Sequence, residues 1–182
     1  MNGVEIHGYA IVSRDDRIAD ASGAMPDSLR NGADWAYFQA GLDRADWVAL
    51  GRVSHEAAAN AKGRRRLIVS GAARGLETRA DGAWWRPDEV GFGEVAARLL
   101  PHGGRIAVPG GQGVFELFLQ VGYDAFHLAR AEAAELPGGR GLFAATQGGE
   151  PAEATLRRAG LTPGPARWLD PAARVSLQVY LR

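Results

Sequence analysis

The sequence contains no cysteine and only one lysine, Lys62. Without cysteine there can be no disulfide, no thiolate zinc site and no cysteine nucleophile. The 21 basic and 21 acidic residues cancel, so no overall charge draws the chain to nucleic acid or to an anionic membrane. No apolar run approaches the roughly 20 residues of a membrane span, and no signal peptide is visible. These absences favour a cytoplasmic protein that holds any anionic ligand in a local site.

The length and composition are typical of one globular domain with a substantial core. The chain has 182 residues, of which 46% are hydrophobic and 23% are charged, as in ordinary globular domains. It shows no internal repeat and no linker long enough to divide it. We therefore predict a single domain over residues 1–182.

Apolar runs and helical patterns alternate along the chain. Strands are predicted at 4–13, 47–50, 67–69, 83–85, 106–108 and 124–131. Helices are predicted at 34–42, 54–61, 92–100 and 114–120, and loops at 18–30 and 136–143. The segments 161–169 and 174–181 predict a closing antiparallel hairpin. This order predicts an α/β fold, a three-layer α/β/α sandwich with a mostly parallel central sheet and an antiparallel C-terminal hairpin.

One glycine-rich turn stands between a strand and a helix. The strand at 106–108 ends in Pro109, and Gly110, Gly111 and Gly113 follow within four residues. Bare backbone N–H groups at the start of a helix suit a phosphate or a pyrophosphate. The alternative is a tight turn in which the glycines supply only unusual backbone angles.

Two further strands end in small or anion-binding residues. Gly51 ends one of them, Arg52 offers a planar cation for phosphate, and Ser54 is a plausible helix N-cap that could also donate to phosphate. Ser70 and Gly71 end the other strand. The alternative is helix capping beside a solvated arginine.

Together these three units resemble the cofactor motifs of the dihydrofolate reductase superfamily, and the resemblance covers nearly the whole chain. The family motif Gly-Arg-x-Thr/Ser-x-Glu is represented by residues 51–56. The family strand that ends in serines corresponds to residues 69–71, and the motif Ile/Val-x-Gly-Gly before a helix corresponds to residues 108–111. Pro109 and Gln112 depart from the commonest form of the third motif.

The resemblance implies an NADPH site. Residues 52–54 would approach the adenosine 2′-phosphate and the pyrophosphate, residues 70–71 would flank the adenine, and residues 110–114 would wrap the pyrophosphate. In the family the two adjacent glycines are often joined by a cis peptide bond. The implied cofactor-binding residues are Gly51, Arg52, Val53, Ser54, Ser70, Gly71, Gly110, Gly111, Gln112, Gly113 and Val114.

Residues 24–38 resemble the mobile loop and substrate helix of the same family. By that match Asp34 would be the catalytic carboxylate that hydrogen-bonds the amidine-like edge of a heterocycle and aids its protonation. Phe38 would be an aromatic wall for the substrate, and Arg64, beside two further arginines, matches the arginine that binds the folate carboxylate. The alternatives are an acid that favours the first turn of a helix and an aromatic residue that packs into the core.

Two positions differ from true dihydrofolate reductase. Asp27 stands where the family has tryptophan, and Ala129 stands where it has threonine. The segments 13–19 and 136–143 resemble instead the reductase domain of riboflavin biosynthesis. The chain is therefore most similar to the stand-alone relatives of that domain.

The resemblance implies an NADPH-dependent reductase that passes hydride to a small heterocyclic substrate, pterin-like or pyrimidine-like. The alternatives are a true dihydrofolate reductase and a non-reductase nucleotide or small-molecule binding protein, because a fold does not fix a function. Relatives in this branch often pair, so a homodimer is predicted. His7 and His127 are expected to pack rather than to bind metal, because no further ligands accompany them at the required spacing.

Overall fold

A ten-stranded mixed sheet runs through the computed structural model, which describes residues 3–182. The strands in chain order are β1 (Val4–Ser13), β2 (Arg17–Ala19), β3 (Trp47–Gly51), β4 (Arg66–Val69), β5 (Leu76–Arg79), β6 (Gly82–Trp85), β7 (Gly104–Gly110), β8 (Ala125–Ala131), β9 (Arg140–Gly141), β10 (Thr162–Pro163), β11 (Arg167–Asp170) and β12 (Val175–Leu181). The helices are α1 (Gly32–Asp43), α2 (Arg52–Ala57), α3 (Phe92–Leu99), α4 (Gln112–Val121), α5 (Ala144–Gln147) and α6 (Ala152–Arg158), and a 3-10 turn covers Asp27–Leu29.

The centre of the sheet is parallel and both of its ends are antiparallel. The strand order is β10-β12-β8-β1-β7-β3-β4-β6-β5, and β11 also pairs with β12. β1 is parallel to β7 and β8, while β12 and β5 run antiparallel to their neighbours. β2 and β9 form a separate two-stranded ribbon. The predicted α/β class, the mostly parallel sheet and the C-terminal hairpin are confirmed.

Successive side chains of a strand point to opposite faces of the sheet, so the hydrophobic core is divided between the two faces. On one face Ile6 belongs to a large cluster that includes Val95 of α3 and Phe118 of α4. On the other face Tyr9 packs in a smaller cluster with Leu42 of α1. The helices therefore cover the sheet as the predicted three-layer sandwich requires.

Several predicted boundaries are wrong for local reasons. α2 begins at Arg52 rather than at Ser54, and its N-cap is Gly51, so Ser54 lies inside the helix and is not its cap. α1 begins earlier than predicted because the Asn31 side chain accepts hydrogen bonds from the backbone N–H groups of Ala33 and Asp34, both at 3.0 Å.

The predicted strand at 161–169 is divided into β10 and β11. Pro163 and Pro165 carry no N–H group to donate to a ladder, so the segment cannot pair along its whole length. The pattern also missed the short elements β2, β5, β9, α5 and α6, which have two to seven residues each. Segments of this length are too short to show the hydrophobic periodicity of a helix or a strand.

A test of α1 packing uses two of its glycines. A Cβ atom on Gly41 would lie 2.5 Å from Cε1 of Tyr9, whereas one on Gly32 would meet nothing within 4 Å. We expect Gly41→Ala to lower the free energy of unfolding by roughly 1–3 kcal/mol because it overpacks the contact between α1 and β1. The control Gly32→Ala should change it by less than about 1 kcal/mol. Urea unfolding followed by circular dichroism measures both, and equal effects would contradict this packing.

Candidate functional site

A cleft of about 900 Å³ opens at the carboxyl ends of β3, β4 and β7. Because these strands are parallel, their ends meet at one edge of the sheet. Most of the residues predicted for the cofactor and the substrate line this cleft: Asp34, Phe38, Gly51, Arg52, Val53, Ser54, Ser70, Gly71, Gly111, Gln112, Gly113 and Val114. The other two, Gly110 and Arg64, line a neighbouring cavity of about 450 Å³.

The glycine-rich turn combines two positive backbone angles with an open approach. Gly110 has φ 113° and Gly111 has φ 58°, which are angles that favour glycine. A Cβ on Gly110 would lie 2.4 Å from the Phe115 ring, but no atom lies within 4 Å of the place where a Cβ of Gly111 would be. Gly111 is the N-cap of α4 and receives no side-chain cap. A phosphate can therefore approach the backbone at the start of a ten-residue helix.

The peptide bond between the two glycines is trans, as are all peptide bonds in residues 3–182, so the cis bond implied by the family is not present. Pro109 is accommodated by an irregularity in the sheet. Val48 pairs with Ala107 and Leu50 pairs with Gly110, so β7 has one more residue than β3 between these pairs. The bulge removes the need for an N–H at the proline.

The side chain of Gln112 turns away from the backbone of its own turn. Its Nε2 atom donates to the carbonyls of Gly141 at 3.0 Å and Phe143 at 3.2 Å. Glu116, one turn further along α4, accepts from the backbone N–H of Ala144 at 3.0 Å. These contacts attach the start of α4 to the glycine-rich loop that follows β8.

Arg52 and Ser70 lie in the cleft with local partners. Arg52 forms a salt bridge of 2.9 Å with Glu56 one helical turn away, and about half of its side chain is exposed. The Ser70 hydroxyl accepts from the N–H of Ala72 at 3.1 Å. An exposed ion pair of this kind is weak, so a phosphate can compete with Glu56 for the guanidinium.

Asp34 lies in the first turn of α1 and lines the cleft. Within residues 3–182 its carboxyl group has no hydrogen bond and no salt bridge. Burial raises its pKa from 3.8 to about 6, because a desolvated carboxylate loses its hydration without gaining a partner. The group can therefore accept hydrogen bonds from a ligand or exchange a proton near neutral pH.

Aromatic rings line the cleft beside Asp34. The Phe38 ring contacts the Tyr9 ring edge-on, with 6.4 Å between the ring centroids, and it also lines the cleft. Phe38 can therefore pack against the core and also contact a substrate, as predicted. Trp35 is 61% exposed and lies 5.5 Å from Phe38. Such a wall suits a flat heterocycle.

The hydrogen bonds of Arg64 are made outside the main cleft. Its Nε donates to Asp43 Oδ1 at 3.0 Å and its Nη2 donates to Gln39 Oε1 at 2.7 Å. A substrate-binding role stays a prediction, and it would require a ligand that reaches the second cavity. Arg140 was not predicted; it lines the main cleft and has no salt bridge among the described residues. It comes from the ribbon of β2 and β9, whose pairing the sequence did not reveal.

A hydrogen-bonded group of aromatic residues at the back of the cleft was also not predicted from the sequence. Tyr37 Oη lies 2.6 Å from His127 Nδ1, and His127 Nε2 lies 3.2 Å from His7 Nδ1. The Tyr9 ring stacks on His127 at 4.4 Å. Burial, with smaller effects from His7 and nearby arginines, lowers the pKa of His127 to about 3. Both nitrogens of His127 are therefore occupied by partners while the ring is neutral.

Metal ligands and membrane spans are not found in the part of the chain that the structure describes. No group of three or more histidine, aspartate or glutamate side chains there could hold a metal ion. None of the helices within residues 3–182 has both the length and the apolar character that crossing a membrane requires.

No protein family and no curated protein matches the sequence, but solved structures are similar to the fold. A riboflavin biosynthesis protein from Shewanella sp. PV-4, itself described as putative, has a TM-score of 0.69 at 18% identity and covers 98% of this chain and 99% of its own. A diaminohydroxyphosphoribosylaminopyrimidine deaminase/5-amino-6-(5-phosphoribosylamino)uracil reductase from Thermotoga maritima has a TM-score of 0.68 at 12% identity, covering 98% of this chain and 56% of its own.

Dihydrofolate reductase from Enterococcus faecalis, in complex with NADP(H), has a TM-score of 0.65 at 13% identity and covers 98% of this chain and 96% of its own. Similarity at such identities concerns the fold. The chain has the dihydrofolate reductase-like fold that its motifs predicted.

The burial of Asp34 predicts a pH-dependent stability. Its folded pKa of about 6 exceeds its unfolded value of 3.8, so ionisation destabilises the folded state as the pH rises through this window, and the cost is complete above pH 6. We expect Asp34→Asn to raise the free energy of unfolding by about 1–3 kcal/mol at pH 7.5 and to leave it unchanged near pH 4.

Urea unfolding at the two pH values measures this difference. The control Asp27→Asn alters a carboxylate whose side chain is fully exposed, and it should have little effect at either pH. A gain for Asp34→Asn that is equally large near pH 4 would contradict the assigned burial cost.

Proposed function

We propose that this protein is an NADPH-dependent reductase that transfers hydride to a small heterocyclic substrate, pterin-like or pyrimidine-like. One observation supports this proposal. A single cleft of about 900 Å³ contains three strand-end turns suited to phosphate, an unpartnered carboxyl group and an aromatic wall. The fold neighbours described as a 5-amino-6-(5-phosphoribosylamino)uracil reductase and as dihydrofolate reductase support the same chemistry.

The cofactor half of the cleft fits a dinucleotide phosphate. Gly111 leaves the backbone open at the start of α4, and Arg52 offers a cation whose only salt-bridge partner in the described chain is Glu56. Residues 110–114 would hold the pyrophosphate, and Arg52 with Ser54 would hold the 2′-phosphate. NADPH, when bound, supplies the hydride.

The substrate half would orient a planar ring against the nicotinamide side. Phe38 and Trp35 would contact its face, and Asp34 would accept hydrogen bonds from its donor edge. With a pKa of about 6, Asp34 is mostly ionised at pH 7. Its main role would therefore be to position the substrate ring. We further propose a cytoplasmic protein that pairs as a homodimer.

Nucleotide titration tests the proposal directly. Thermal-shift and fluorescence titrations with NADPH and NADH come first, followed by NADPH oxidation with a panel of dihydropteridines and ribosylaminopyrimidines. We expect binding of NADPH and oxidation with at least one member of the panel. Failure of both nucleotides to bind would contradict the reductase proposal, and binding without oxidation would favour a nucleotide-binding protein.

The role of Arg52 in 2′-phosphate binding predicts a cofactor-specific loss. Arg52→Ala should raise the Kd for NADPH by about 10-fold or more, because a charge-assisted contact to phosphate is lost, and should change the Kd for NADH by less than about 3-fold. The matched control is Glu56→Gln, which removes the carboxylate that binds Arg52 and should preserve or improve NADPH binding. Equal weakening of both nucleotides would contradict this role.

A further inference from the structure

The geometry points to a proton relay at the back of the cleft: we propose that Tyr37 donates the proton that accompanies hydride transfer, and that His127 and His7 resupply it from the protein surface. This inference rests on the proposed reductase function and adds the source of the proton. Tyr37 and His127 both line the cleft, whereas His7 lies behind them. His127 and His7 act through Tyr37.

The sheet and α1 hold the three rings in line. Tyr9 pairs with His127 across β1 and β8, and His7 lies on the same face of β1 as Tyr9 because side chains alternate. α1 crosses this face closely at Gly41, whose missing side chain makes room for the Tyr9 ring. This approach brings the hydroxyl of Tyr37 to 2.6 Å from His127.

The outer end of the relay reaches solvent. His7 Nε2 lies 3.7 Å from a carboxylate oxygen of Glu5, a gap that one water can bridge. The Glu5 side chain is 53% exposed, and Arg105 also binds it at 2.6 Å. The relay therefore extends from the cleft along one face of the sheet to an exposed ion pair.

The surroundings of both imidazoles favour the neutral form that a relay requires. Burial lowers the pKa of His127 to about 3 and lowers the pKa of His7. Burial also raises the pKa of Tyr37, so its hydroxyl keeps its proton between turnovers. The charged groups that act on these rings are Arg44 at the end of α1, Arg105 on β7, Asp124 before β8, Glu5 on β1 and Arg167 of β11 over the Tyr37 ring.

The hydrogen bonds allow only two orientations of the whole relay, because each neutral imidazole carries one N–H. In the loaded orientation His7 Nδ1–H donates to His127 Nε2, His127 Nδ1–H donates to Tyr37 Oη, and the Tyr37 O–H is free to donate into the cleft. Transfer of the Tyr37 proton to the substrate anion formed by hydride addition moves each inner proton one step toward the cleft. His7 then takes a proton from solvent at Nε2. One proton enters, one leaves, and the relay ends in the opposite orientation. The loaded orientation is restored when the Tyr37 hydroxyl rotates and each imidazole gains a proton from water at Nδ1 and loses one to water from Nε2.

A test without any substrate uses NMR of ¹⁵N-labelled histidine between pH 5 and 8. We expect His127 to remain neutral throughout and His7 to titrate below its ordinary pKa of 6.5. We also expect Tyr37→Phe to change the ring-nitrogen shifts of His127 and, through it, of His7. A ring of the resting protein that titrates near its usual pKa of 6.5, or a Tyr37→Phe variant with unchanged shifts at both rings, would overturn the relay. This outcome is independent of whether NADPH binds.

The kinetic test uses the substrate that NADPH reduces best in the panel above. Tyr37→Phe and His127→Gln should slow single-turnover reduction by about 10²-fold, and His7→Gln should slow it less. The wild type should show a solvent isotope effect that depends non-linearly on deuterium fraction, and the variants should lose that curvature while their Kd for NADPH stays unchanged.

Two controls separate the relay from general packing. Tyr180→Phe removes a buried tyrosine hydroxyl on β12, and His102→Gln removes an exposed histidine; neither residue lines the cleft, and both variants should react like the wild type. Relay variants that bind NADPH and keep the wild-type rate, pH profile and isotope effect would overturn the relay and leave the reductase proposal standing. Absence of NADPH binding in the wild type would instead remove the reductase proposal.

Discussion

Parallel pairing of the central strands determines where the side chains of this site lie. β3, β4 and β7 run in the same direction, so the residues that follow each strand meet at one edge even though they come from positions near 51, 70 and 110 of the chain. The meeting of these three strand ends in one cleft depends on this register. A shift of one residue would turn each strand side chain to the other face of the sheet.

The strand-end residues predicted for the site were accessible from the sequence because their signals are local, whereas Asp34, Phe38 and Arg64 were predicted from the family resemblance. A buried run followed by glycine, arginine or serine can be read without knowing what lies beside it, and twelve of the fourteen predicted residues line the cleft. This placement does not test their roles. Arg64 was predicted for the substrate, but its partners Gln39 and Asp43 come from α1. Hydrogen bonds of this kind depend on how the helix packs, and no local sequence pattern predicts them.

The contacts that the sequence could not reveal join distant segments. His7 and His127 are 120 residues apart, and each alone looks like an ordinary histidine on a strand. Their hydrogen bond follows from the β1–β8 register, and the contact of His127 with Tyr37 follows from the position of α1 over the sheet. The short elements were missed for a different reason: β9 has two residues and α5 has four, which is less than the repeat that identifies an element.

The ends of the sheet limit how copies of this protein can associate. β5 carries the exposed or half-exposed residues Leu-Glu-Thr-Arg at one edge, and the other edge is divided between two-residue β10 and four-residue β11. Short, charged or interrupted edges offer few consecutive free N–H and C=O groups to a foreign strand. Backbone pairing that would extend the sheet from one molecule into the next is therefore disfavoured, and any stable contact between two copies has to be made by side chains.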